Sequence, residues 1–111
     1  MEEQAIGPEL TLATDRAGAR AIVTVTGELD AYSAPGLEEE ISGLLSDKVS
    51  DLVLDLSGTR FLDSSGLRAI LTAQRRVAEL DGGRLALRAP SEPVRRLLEI
   101  TGLSDHFIVE S

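Results

Sequence analysis

Hydrophobic positions change period along this chain, alternating in some stretches and recurring every three or four residues in others, which divides it into strands and helices. Leu10 and Leu12 share one face of an extended segment over residues 9–14. Asp15-Arg16-Ala17-Gly18 then supplies turn residues, and residues 20–26 alternate again, so an opening hairpin is predicted. Residues 1–6 carry no periodic pattern and Gly7-Pro8 punctuates them, so residues 1–8 read as a tail and residues 9–111 as one domain. After Gly27, Ser33-Ala34-Pro35 places a capping serine before a proline in a first turn, which predicts a helix. Glu38, Glu39 and Glu40 suit its positive end, and Leu37, Ile41, Leu44 and Leu45 make its apolar stripe, with Gly43 a weak point inside it.

Leu52-Val53-Leu54-Asp55-Leu56 is a nearly continuous apolar run, the pattern of a central strand covered on both faces. A second helix from Ser65 carries Leu67, Ile70, Leu71, Val77 and Leu80 on one side and Arg75 and Arg76 toward solvent, and Gly82-Gly83 ends it. Residues 84–88 alternate as a strand. Ser91-Glu92-Pro93 opens a third helix with Val94, Leu97 and Leu98 inward, and Gly102 stops it. Phe107-Ile108-Val109 fits a last short strand or a packed C-terminal extension. Helical crossovers between neighbouring strands make them parallel, so the order predicts an α/β domain with a mixed sheet.

Composition narrows what such a domain does. At 111 residues there is room for one core, and 42% hydrophobic with 27% charged residues is a globular balance. The only aromatics are Tyr32, Phe61 and Phe107, so base-stacking platforms are scarce. A formal net charge of −8 and an isoelectric point near 4.5 oppose direct nucleic-acid binding, which relies on Lys and Arg displacing counterions. The absence of cysteine removes disulfides and thiolate chemistry. An acidic start, with no apolar run near the ~18 residues a membrane span needs, points to a cytoplasmic protein with no membrane partner.

The chemistry-bearing segment runs from Asp55 to Leu67, between the buried strand and the second helix. Asp63, Ser64 and Ser65 can each cap exposed helix N–H groups, and capping needs only one of them. A serine there also suits phosphorylation, because free N–H groups and the helix dipole favour an added anion. Phosphate in that place leaves the helix standing and acts on the surface shown to a partner. Competing chemistries have less support. Ser64 and His106 lack the Gly-x-Ser-x-Gly elbow of a hydrolase. His106 has no neighbours at metal-ligand spacing, and Asp55, at a strand end, is better used bonding loop N–H groups than paired with Asp63 for acid–base or magnesium chemistry. Gly58 and Gly66 are too isolated to cradle a phosphate, leaving nucleotide binding a weak alternative.

Phe61-Leu62-Asp63-Ser64-Ser65-Gly66-Leu67 resembles the signature of bacterial anti-anti-sigma factors, the founding members of the STAS domain. Thr26-Gly27-Glu28-Leu29-Asp30 resembles that family's second motif, and residues 94–103 its last helix, so the match spans roughly residues 9–109. The resemblance implies a STAS-type fold: an α/β domain whose mixed, four- to five-stranded sheet has helices packed mainly on one side. It implies no enzyme but an anti-sigma factor antagonist. Such a protein binds an anti-sigma factor that is itself a serine kinase and so releases a sigma factor, in bacterial stress response or sporulation. Phosphorylation of Ser64, with Ser65 as the alternative, would switch binding off, and a separate serine phosphatase would restore it. ATP would belong to the kinase, so no cofactor and no metal is implied for this chain. Partner-binding positions carried over are Glu28, Asp30, Ser33, Asp63, Ser64, Ser65, Gly66, Leu67 and Arg68. Among these, Asp30 and Asp63 flank the acceptor and Ser65 caps the helix. Arg68 departs from the pattern, standing where many relatives have a second glycine. A STAS scaffold or adaptor in a signalling or transport complex is the rival within the fold, and a small-ligand-binding α/β domain the rival outside it.

Overall fold

Two runs, Leu52-Val53-Leu54 and Leu85-Ala86-Leu87, are buried at every residue, and they form neighbouring parallel strands in the middle of a sheet. The computed structural model describes residues 2–111. Its elements are β1 (Glu2–Ala5), β2 (Leu10–Ala17), β3 (Arg20–Leu29), α1 (Ala34–Ser46), β4 (Asp51–Asp55), β5 (Thr59–Leu62), α2 (Ser64–Ala78), β6 (Arg84–Arg88), α3 (Glu92–Ile100) and β7 (Ile108–Glu110). Strands lie in the order β1-β2-β3-β4-β6-β7, with β5 paired to β3. The pairs β1–β2 and β2–β3 are antiparallel and all others parallel.

One face of the sheet builds the core. Leu12 of β2, Val23, Val25 and Leu29 of β3, and Leu52 and Leu54 of β4 meet Leu37 and Ile41 of α1 and Ile70, Ala73 and Val77 of α2. Those two helices also pack on each other, while α3 packs against β5. Burial of the Leu, Ile and Val side chains among these stabilises by about 1.5–3 kcal/mol each before conformational entropy is subtracted. On the opposite face Arg20, Asp51 and Arg84 stand in register on adjacent strands, with Arg20 pairing Asp51 at 3.0 Å and Arg88 pairing Glu110 at 3.0 Å.

The α/β class, the mixed sheet and all three helices agree with the sequence reading, but the sheet has seven strands where four or five were predicted. Residues 2–5 are an edge strand and not a tail. All four are exposed, so β1 is held by backbone pairing to β2 and leaves no apolar alternation to read. The second extra strand, β5, is buried only at Thr59 and Leu62, and that short pattern hid it inside what reads as a loop. The opening hairpin is also longer than predicted. Ala17 pairs with Arg20, which leaves Gly18 and Ala19 as the whole turn, and Gly18 adopts the positive φ of 63° that tight hairpins favour. At the C-terminus, Ile108–Glu110 pairs with β6, which settles the choice between strand and extension.

Candidate functional site

Two parallel strands deliver the predicted motifs to one corner of the fold. Glu28 pairs with Phe61 and Leu29 with Leu62 along β3 and β5, and the Asp63 N–H donates to the Leu29 carbonyl at 3.3 Å. The register shifts at Gly27 and Glu28. There Gly27 takes a φ of 113° and lies so close to the Glu9 carbonyl that any Cβ would collide with it. Beneath the corner, buried Thr59 donates its hydroxyl to the Val25 carbonyl at 2.7 Å, tying β5 to β3. Asp30 and Asp63, each one residue beyond its strand, are thereby set side by side.

The two aspartates cap the turns after them by the same geometry. Asp30 Oδ1 accepts the N–H groups of Tyr32 at 3.0 Å and Ser33 at 3.1 Å. Asp63 Oδ1 accepts those of Ser65 at 2.9 Å and Gly66 at 3.0 Å. Asp63 is therefore the N-cap of α2, extended at φ −107°, ψ −172°, and Ser64 is the first helical residue. The expectation that Ser65 caps the helix is corrected: its own N–H is one of the donors being capped, and its side chain is half-buried. Ser33 does not cap α1 through its hydroxyl either. Its backbone is already helical, and the hydroxyl turns back to donate to the Glu28 carbonyl at 2.9 Å while accepting the Asp30 N–H at 2.9 Å.

The predicted residues thus fall into two groups. Ser33, Gly66 and Leu67 are buried, the serine only 6% exposed, and hold the corner together from inside. A Cβ on Gly66 would stand 2.5 Å from Leu62 Cδ1 and 2.7 Å from the Leu29 carbonyl oxygen, so only glycine lets α2 start this close to β3. Glu28, Asp30, Asp63 and Ser65 are half-buried, and Ser64 and Arg68 are exposed. Among the described residues the Ser64 hydroxyl has no hydrogen-bond partner, so it is open to an external group donor.

Three further residues belong to this surface. Tyr32 is 94% exposed on the turn that Asp30 caps, and Phe61 is 46% exposed on β5 beside Glu28. Arg60 pairs with Glu9 and, at 3.5 Å, with Glu28. A lone aromatic between Asp30 and Ser33 was the available sign for Tyr32. The hydrolase reading fails on geometry. The backbone of His106 is bonded to Gln74, ten residues beyond Ser64 and about 15 Å along α2 at 1.5 Å per residue. Asp55 is occupied as expected at its strand end, accepting the Ser57 N–H at 3.0 Å and hydroxyl at 2.7 Å.

Comparison with known proteins agrees with the fold. The family model for the STAS domain matches residues 11–111. The anti-sigma-B factor antagonist of Bacillus subtilis is 37% identical over 83 residues, which cover 75% of this chain and 74% of that protein. Among solved structures, an anti-sigma factor antagonist from Mycobacterium paratuberculosis is 31% identical with a TM-score of 0.74, over 91% of this chain and 85% of that one. The Bacillus cell fate determinant SpoIIAA in its phosphorylated form superimposes with a TM-score of 0.72 at 22% identity, over 90% of this chain and 91% of the other, a likeness of fold.

Proposed function

Because the chain belongs to the STAS domain family, we propose that it is an anti-sigma factor antagonist, a binding protein and not an enzyme, whose docking is switched by phosphorylation at Ser64. In its unmodified form it binds an anti-sigma factor that is a serine kinase and so frees a sigma factor. The kinase transfers phosphate from its own ATP to the Ser64 hydroxyl, and a serine phosphatase removes it. This cycle belongs in the cytoplasm and involves neither nucleic acid nor membrane directly.

The observation that carries this reading is the placement of Ser64: first residue of α2, exposed, with its hydroxyl unused, beside a carboxylate that already caps the helix. Glu28, Asp30, Asp63, Ser65, Arg68 and the exposed Tyr32 and Phe61 surround it as the docking face. Aromatic side chains held on a rigid turn are favoured anchors in protein interfaces. Phosphate adds about −1.5 to −2 charge and three acceptor oxygens at the centre of that face, and covering that added charge with a partner surface costs affinity.

Titration of the candidate cognate kinase by calorimetry tests the switch. Ser64→Ala is expected to bind like the parent, and Ser64→Glu at least tenfold more weakly. Equal affinity of both variants for the kinase would overturn the switch.

A further inference from the structure

We infer that Arg68 is the counter-charge for a phosphate on Ser64, closing a phosphate–guanidinium pair along one face of α2; this rests on Ser64 being the modified residue. Asp63 has already taken three of the first four helix N–H groups that would otherwise receive an anion, leaving only that of Ser64 itself. Its Oδ1 holds Ser65 and Gly66, and its carbonyl accepts from Leu67 at 2.9 Å. A full counter-charge for a phosphate on Ser64 therefore has to come from a side chain.

Arg60, the nearest arginine before it in the chain, is engaged by Glu9 and Glu28. Arg16, Arg20, Arg84, Arg88 and Arg96 are likewise paired with carboxylates. Arg68 is exposed and, like Lys48, Arg75, Arg76 and Arg95, forms no ion pair among the described residues. It stands four positions after Ser64 on a continuous helix, a spacing that puts Cβ atoms about 5–6 Å apart on one face. The flexible stem and forked guanidinium suit bidentate capture of phosphate oxygens. A cation this near the positive end of a helix gains nothing from the dipole, whereas Arg75 and Arg76 in the last turn do. Its placement makes physical sense once an anion stands one turn earlier.

The consequence is a double change on modification. The hydroxyl becomes a dianion, and Arg68 is withdrawn from the docking face at the same time. Phosphate would lie along α2 and leave the fold intact.

The test installs phosphoserine at position 64 during translation, so it needs no kinase, and tracks the phosphate by ³¹P NMR titration. Carboxylates of Asp63, Asp30 and Glu28 act on the phosphate in every variant, so the comparison between variants isolates the guanidinium. With Arg68 present, the second ionisation is expected about 0.3 unit lower than in Arg68→Gln, a twofold change in the proton equilibrium, with Arg68→Lys in between. The difference should shrink in 1 M salt. Arg75→Gln, which removes the same charge farther along α2, is expected to leave the midpoint where it is. An unchanged midpoint in Arg68→Gln, or an equal shift in Arg75→Gln, overturns the inference. Failure of a kinase to modify Ser64 would refute the switch and leave this titration as it stands.

Discussion

The starts of α1 and α2 are built alike and used differently. Each comes after a parallel strand, and in each an aspartate carboxylate accepts the N–H groups two and three residues on, Asp30 for Tyr32 and Ser33, Asp63 for Ser65 and Gly66. The difference lies in where the serine falls. At the first corner it occupies the third position after the aspartate, is buried, and bonds the Glu28 carbonyl. At the second corner that position is Gly66, and the first position, exposed Ala31 in the other corner, is Ser64. Two residues of displacement along the same turn separate a structural hydroxyl from an available one. Availability of a hydroxyl at this surface is thus a matter of register relative to the capping carboxylate, since serine chemistry is the same at both places.

The comparison can be broken most forcefully by giving the second corner the first one's serine. Gly66→Ser forces a Cβ against Leu62 and the Leu29 carbonyl, and a loss of about 3 kcal/mol, the upper end for overpacking, is expected in denaturant unfolding. Ser33→Ala removes the inward hydroxyl and leaves the Glu28 carbonyl and the Asp30 N–H each short of a partner. Unfolding should show a loss of about 1–2 kcal/mol with no change in phosphorylation. At the exposed serine the same kind of experiment should do almost nothing. Ser64→Glu places an acidic group at the first helical position, and thermal unfolding should move by less than about 0.5 kcal/mol. If Ser64→Glu were as costly as Ser33→Ala, the distinction between the two serines would be wrong.

How much of this was legible in the sequence depends on burial. Central strand β4 announced itself as a nearly continuous apolar run, β6 by its alternation, and the three helices as stripes, because helix and strand periods are written by the core. β1 and β5 went unread because strand pairing satisfies backbone groups without requiring apolar side chains. Of the candidate site, the Asp63-Ser64-Ser65-Gly66 segment and its resemblance were plain. The division of labour inside it was not. Three short polar residues in a row can all cap, and only the extended backbone at Asp63 and its alignment with Leu29 decide that the aspartate does. Ser33 likewise matched an N-cap and stands at that position, yet its hydroxyl is turned back to the Glu28 carbonyl and the Asp30 N–H. Arg68 was visible as a departure, but its lack of a partner emerges only when the other ion pairs are placed.

The claim that Ser64 is the switch is tested most directly by incubating the protein with its cognate anti-sigma factor kinase and ATP and mapping the modified residue by phosphopeptide mass spectrometry. Phosphate on Ser64 in the parent, and none in Ser64→Ala, is the predicted result. Modification of Ser65 alone, or no modification of the chain, would contradict it.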